Sequence, residues 1–195
     1  MFYKICRGIA NILAHIFYRV KIVRLAPLPE GAAIICCNHT HVFDAIFASI
    51  ALGPNAKFTA MAKAELFSVP VLGWVCRHLG AFPVKRGQSD ITAIKTALRN
   101  LKDDKYLLIF PDGRRTFSEE EHANAKAGTG MIALRSGAPV VPMYISPNKR
   151  IFSRIDIVVG HPRLETCEGK PDHAAYKAIV DSIMKTILAL REEIK

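Results

Sequence analysis

The stretch Asn38-His39-Thr40-His41-Val42-Phe43-Asp44 places imidazole and carboxylate groups directly after an apolar run and at the opening of a helical pattern. Polar residues at the end of a strand are where α/β folds place their sites. On one continuous helix His39 and Asp44, five positions apart, would point well away from each other at roughly 100° per residue. His39 is therefore expected in the turn before the helix, its ring folded back toward Asp44 in the first turn, where a carboxylate is also favoured by the helix dipole. There Asp44 would fix the imidazole tautomer and stabilise the imidazolium formed during proton transfer, as the Asp of a serine-protease triad does. No serine or cysteine nucleophile stands beside the pair, and no G-x-S-x-G elbow occurs. The simpler chemistry is direct attack by a substrate hydroxyl that His39 deprotonates.

The same residues have a plainer use, as a helix start capped by Thr40 or Asn38 with Asp44 in its first turn. His39 and His41 form an H-x-H pair, but no third ligand of suitable spacing accompanies them, so no metal site is assigned.

The H-x-x-x-x-D pattern after a strand resembles the first motif of the glycerolipid acyltransferases typified by bacterial 1-acyl-sn-glycerol-3-phosphate acyltransferases. Lys63-Ala64-Glu65-Leu66, Pro70, Gly73 and Gly80-Ala81-Phe82-Pro83-Val84-Lys85-Arg86 resemble that family's second block. Phe110-Pro111-Asp112-Gly113-Arg114-Arg115-Thr116 resembles its third, F-P-E-G-T-R, and departs from it at Asp112 and Arg114. Ala138-Pro139-Val140-Val141-Pro142-Met143 resembles the fourth, an apolar strand with a central proline, which a buried strand near a sheet edge would explain equally well.

The resemblance implies an acyl donor in the form of a thioester on coenzyme A or acyl carrier protein, no bound cofactor, a lysophospholipid acceptor and, for lysophosphatidic acid, phosphatidic acid as product. It assigns His39 and Asp44 to catalysis, Arg86, Arg115 and Lys85 to the acceptor phosphate, and Asp112 and Gly113 to the substrate-site loop. An arginine after a strand can offer its rigid fork bidentately to a phosphate, whereas a lysine supplies a looser point charge. A solvated basic loop reads the same way at Lys85 and Arg86, and Pro-Asp-Gly is also an ordinary turn signal. Asp112 keeps the charge of the family's Glu but is shorter by one methylene. Backbone N–H groups near Gly113 or at the helix start after His39 are candidates for the oxyanion. The Asp112 and Arg114 departures leave other acceptors open, such as a lyso-ornithine lipid or lysophosphatidylglycerol.

The elements that must hold these residues alternate. Ala32–Cys37, Lys57–Ala62, Ala81–Val84, Tyr106–Phe110, Val140–Ile145 and Ile155–Val159 read as strands. Val42–Leu52, Val71–Leu79, Asp90–Leu101, Ala125–Ser136 and a closing segment from His173, capped by Asp172, read as helices. The fold class expected is α/β, a single domain with a mixed, mostly parallel sheet flanked by helices. Residues 1–24 read as an N-terminal amphipathic, membrane-associating helix and its lead-in, and residues 25–195 as the acyltransferase domain the resemblance implies. In the helix Ile5, Ile9, Ile12, Ile16 and Val20 recur at helical spacing, with Lys4, Arg7, Asn11, His15 and Tyr18 on the opposite side and Phe2, Tyr3 and Phe17 as further interfacial aromatics. A helix packed on the domain, or a cleaved leader, is the other reading of this segment.

With 27 Lys and Arg against 17 Asp and Glu the chain carries +10, which calls for an anionic partner: a phospholipid surface, an acidic carrier protein or nucleic acid. Nucleic acid is not expected, because neither an aromatic-basic RNA signature nor a recognition helix is present. No run reaches the ~20 apolar residues of a spanning helix. Five cysteines without paired C-x-x-C spacing fit a reduced chain. A peripheral, monotopic position on the cytoplasmic face of the cell membrane follows as the expectation.

Overall fold

The computed structural model describes residues 2–85, 90–116 and 126–194, with side chains from residue 5 onward. Arg86 and the expected helix start at Ala125 lie outside the described residues, as do the side chains of Phe2, Tyr3 and Lys4. The strands in chain order are β1 (Arg19–Arg24), β2 (Ala33–Cys37), β3 (Phe58–Lys63), β4 (Ala81–Val84), β5 (Tyr106–Ile109), β6 (Val140–Ile145) and β7 (Arg154–Val159). They form one seven-stranded sheet in the order β1-β7-β6-β2-β5-β3-β4. Every pairing is parallel except β6 with β7.

The helices are α1 (Phe2–Phe17), α2 (Asp44–Ala51), α3 (Pro70–His78), α4 (Ile91–Lys102), α5 (Gly128–Ser136) and α6 (His173–Ala189). Asp90 caps α4 by accepting from the Ala93 amide, and Asp172 caps α6 by accepting from Ala175. These are the carboxylate caps that satisfy otherwise orphaned helix donors.

Because side chains alternate across a strand, each central strand feeds two cores. On β2, Ile34 and Cys36 join the cluster under α4, α5 and α6, while Ala33, Ile35 and Cys37 join the one under α1 and α2. Burial on both faces is why the strand reads as an unbroken apolar run.

β1 is an element that the reading of strands above lacks. Val20, placed there on the helical stripe, belongs to this strand, since α1 stops at Phe17. The spacing of four from Ile16 to Val20 fits a helical period and, being even, a strand period as well. The alternating Arg-Val-Lys-Ile at the start of β1 decides for a half-covered edge strand, with charges that also blunt the open edge. β6 lies third in the sheet, between β7 and β2, not near an edge. Its Pro142 is accommodated because its carbonyl, which accepts from Gly160 N–H at 2.8 Å, faces the point where β7 ends. The proline's missing donor therefore falls in the gap between the end of β7 and the isolated pairing of Val140 with Arg163.

No helix among the described residues is long and apolar enough to cross a membrane. α1 turns Arg7 and Ala14 inward, where the Arg7 guanidinium donates to the Gly53 carbonyl beyond the end of α2. Its Ile5, Ile9, Ile12 and Ile16 stand outward, between 53% and 60% exposed.

Candidate active site

Since β2, β3, β4, β5 and β6 run in one direction, their C-terminal ends share one edge, and all four sequence blocks reach it. At the end of β2 the Asn38 side chain continues the ladder to β6. Its amide donates to Ile145 O at 2.9 Å and accepts from Ile145 N–H at 2.8 Å. Asn38 is thus a clasp across two strands rather than the cap of α2, whose capping residue is Phe43, with no side-chain cap bond. Thr40 is no cap either.

The chain then turns through His39 to Phe43, and α2 opens at Asp44, two residues later than the apolar run implied. Asp44 is fully buried and reaches backward into the turn. Its Oδ2 accepts from Thr40 N–H at 2.7 Å and from His41 N–H at 2.6 Å, and His39 Nδ1 lies 3.1 Å away. An ionised carboxylate only accepts, so this contact sets the Nδ1–H tautomer and leaves Nε2, on the far side of the ring, as the bare nitrogen. The imidazole is stacked on Phe110 at 4.1 Å and 18°, and its side chain is 13% exposed. Its ring plane is therefore held by an aromatic from the third block.

A residue with no signal in the sequence completes the turn. Lys149, in the connection from β6 to β7, lies 110 positions later by number (149 − 39) yet puts its ammonium 3.0 Å from Asp44 Oδ1. The lysine side chain is 2% exposed. The contact is an ion pair off the alignment of a hydrogen bond. The ammonium also donates to the Ser146 carbonyl. Burial pushes the Asp44 carboxyl up, but the His39 hydrogen bond, the Lys149 charge and the His41 amide outweigh it and hold the group below the usual carboxylate range.

The third block is tied to the first. Thr116 N–H donates to His39 O at 2.8 Å, and the buried Thr116 hydroxyl donates to Asp112 Oδ2 at 3.2 Å. Asp112 is 3% exposed, so its shorter carboxylate faces this internal clasp. Gly113 takes φ +64°, a left-handed turn that glycine adopts without steric cost, and its N–H donates to Phe110 O at 2.9 Å. Among the backbone donors near Gly113 and after His39, the Gly113, Thr40 and His41 amides are thus already engaged. Arg114, Arg115 and Lys85 are exposed on this edge. The Lys85 backbone amide donates to the Asp90 carboxylate at 2.9 Å. Arg86 lies outside the described residues, so the structure brings His39, Asp44, Asp112 and Gly113 together and sets Arg115 and Lys85 on the same edge.

The thiols of Cys36 and Cys37, next to the turn, are fully buried and pushed up, chiefly by that burial, which makes them poor nucleophiles. All five cysteines are free. Among the described residues, no group of three or more His, Cys, Asp or Glu gathers as a metal site would require.

Known proteins are similar to this chain in architecture and in sequence. The crystal structure of PlsC, the 1-acyl-sn-glycerophosphate (LPA) acyltransferase of Thermotoga maritima, superposes with a TM-score of 0.61 over 99% of this chain and 78% of its own, at 19% identity. The fold is therefore the same. The 1-acyl-sn-glycerol-3-phosphate acyltransferase of Bacillus subtilis is 31% identical over 166 residues, 82% of this chain and 81% of that protein. The lyso-ornithine lipid O-acyltransferase of Pseudomonas aeruginosa is 34% identical over 142 residues, 71% of this chain and 51% of its own length. The chain spans 47% of the chloroplast 1-acyl-sn-glycerol-3-phosphate acyltransferase LPAT1 of Arabidopsis thaliana. The acyltransferase family model matches residues 19–146, from β1 to just past β6, and so takes in every strand whose end meets the His39 turn. With the order of its four motifs, the shared fold and this match, the chain belongs to the acyltransferase family.

Proposed function

We propose that this chain transfers a fatty acyl group from an acyl thioester to the free sn-2 hydroxyl of 1-acyl-glycerol-3-phosphate, giving phosphatidic acid for phospholipid synthesis. The observation that carries the reading is the His39 Nδ1 to Asp44 Oδ2 contact of 3.1 Å on a carboxylate that is fully buried. It leaves Nε2 as the proton acceptor.

In this reaction the acceptor hydroxyl oxygen attacks the thioester carbonyl as its proton passes to His39 Nε2. The tetrahedral adduct then collapses, the C–S bond breaks, and the departing sulfur takes the proton back from the imidazolium. Asp44 holds the ring and balances its transient charge. Arg115, with Lys85 and Arg86, binds the acceptor phosphate, and the Asp112–Gly113 turn sets the direction in which Arg115 leaves the sheet. Holding the lysolipid by its phosphate fixes the distance of its hydroxyl from the base, which is where positioning contributes to the rate. The donor thiol is that of coenzyme A or acyl carrier protein, and no further cofactor is needed.

The exposed isoleucines of α1 favour attachment to a lipid surface, as do Val42, Phe43, Ile151 and Phe152, which are 42% to 65% exposed on loops at the site's edge. Apolar groups rimmed by cations suit an anionic headgroup layer. The place proposed is the cytoplasmic face of the cell membrane, held peripherally.

The deciding experiment is acyl transfer from labelled acyl-CoA and acyl-carrier-protein donors to a lysolipid panel in detergent micelles, with wild type and His39→Ala compared. Phosphatidic acid formed from lysophosphatidic acid only by the wild type is expected. Equal product from His39→Ala would remove the base from the reading. The similarity to the Pseudomonas aeruginosa enzyme supports a second acceptor, a lyso-ornithine lipid. Selective, His39-dependent product from that lysolipid would put it in first place.

A further inference from the structure

We infer that Lys149 is a positioning residue of this site, extending the His39–Asp44 pair into a buried Lys149–Asp44–His39 relay. The inference rests on the reading of His39 as the base.

The lysine side chain is 2% exposed and the carboxylate fully buried, and the two lie 3.0 Å apart. A lone charge in such a place is costly, whereas a pair with further hydrogen bonds is tolerated. The ammonium is steered onto Oδ1 by the Ser146 carbonyl, with Thr40 Oγ1 3.5 Å away, and the opposite oxygen is left to His39 and the two turn amides. One edge of the carboxylate thus meets the ammonium and the other meets the ring. The pair is neutral at rest, so the imidazole need not be protonated to balance Asp44. It can start the cycle as a base and become cationic only on taking the substrate's proton. The ionisable groups recorded around the Asp44–Lys149 pair are His39 and, through its amide, His41 from the turn before α2 and the buried Cys37 thiol from β2, with Asp112 tied to the turn through Thr116. Lys149 is the cationic side chain set directly against Asp44 Oδ1.

The test compares the pH dependence of kcat/KM in wild type, Lys149→Arg, which keeps the charge, and Lys149→Gln, which keeps a donor for Asp44 and Ser146 without it. In Lys149→Gln the acid limb is expected to move to higher pH by about one unit, because the full charge of Asp44 then acts on the imidazolium. The lysolipid KM should change less than twofold, and Lys149→Arg should restore the wild-type limb. An unmoved limb in Lys149→Gln, with stability lowered alike in both variants, would show a purely structural lysine and overturn the relay. If Lys149→Gln fails to fold, Lys149→Met combined with Asp44→Asn removes both charges together. Recovery of the folded state, with the kcat of Asp44→Asn alone, supports the coupling, and continued unfolding overturns it. His39→Ala, run in parallel, separates the failures. Full activity there sinks the base itself, whereas an inactive His39→Ala with an unmoved Lys149→Gln limb sinks only the relay.

Discussion

The histidine turn and the arginine loop lie on the same sheet edge and are built in opposite ways. In the turn, Asp44 and Lys149 are out of water and every charge has its counterpart before any substrate arrives. In the loop, Arg114 and Arg115 stand exposed one and two residues beyond the Gly113 turn, with no hydrogen bond or ion pair recorded among the described residues. The two are joined by Thr116, whose amide holds the His39 carbonyl. A base must be oriented and correctly protonated in advance, so its partners are internal and permanent. On the proposed function these cations are meant for a ligand and lose their use if the protein neutralises them first, and both are exposed. On the proposed function, this difference separates residues that would serve the reaction through the protein from those that would serve it through the substrate.

The largest expected break of that comparison comes from His39→Ala, which should lower kcat by roughly 10²–10⁴-fold. Far-UV circular dichroism and the thermal midpoint would show the fold retained.

Asp44→Asn should strike stability as well as turnover, by about 3–5 kcal/mol, because it leaves the Lys149 ammonium buried without its counter-charge. Denaturant unfolding measures it, and pH sharpens it. The Asp44 carboxyl is held below its unfolded value, so its contribution is complete above that value and is lost as pH falls through the lowered one. The gap between wild type and Asp44→Asn should therefore be full at neutral pH and close as acid protonates the carboxylate.

Arg115→Gln should reverse the pattern. A lost charge-assisted contact of about 1.5–3 kcal/mol corresponds to roughly 10- to 100-fold in kcat/KM for lysophosphatidic acid. Unfolding should move by less than ~0.5 kcal/mol, as for other exposed positions. A large stability loss there would mean that the loop is braced internally like the turn.

The smallest effect is expected from Ile9→Ser with Ile16→Ser, two side chains 53% and 58% exposed on α1. Micellar kcat should stay unchanged, while binding to anionic vesicles, read by co-sedimentation, should weaken by about tenfold.

Much of the architecture was legible in the sequence because it follows from local rules. Unbroken apolar runs such as Ala33–Cys37 mark strands covered on both faces, and Asp90 and Asp172 mark helix starts through a bond to the third residue on. The proximity of His39 and Asp44 was legible for the same reason, since a turn of five positions constrains both ends. β1 is not legible, because the spacing of four from Ile16 to Val20 suits both a helix and a strand. Pro142 reads equally well as part of a strand near an edge, because the rule that prolines avoid central strands gives no sign of where a neighbouring strand stops.

Sequence alone therefore determined the alternation of elements, the His39–Asp44 turn and the basic loop after β5, each set by residues within a few positions of one another. Only the tertiary structure decided what surrounds them. The Asn38 side chain on Ile145, Phe110 under the imidazole, Thr116 on the His39 carbonyl and Lys149 against Asp44 all join segments far apart in the chain. Each is a residue of ordinary type in an ordinary place. A lysine in a loop reads as solvated until the parallel arrangement of β2 and β6 brings their ends together, and the burial of its side chain beside a carboxylate then gives its charge a purpose.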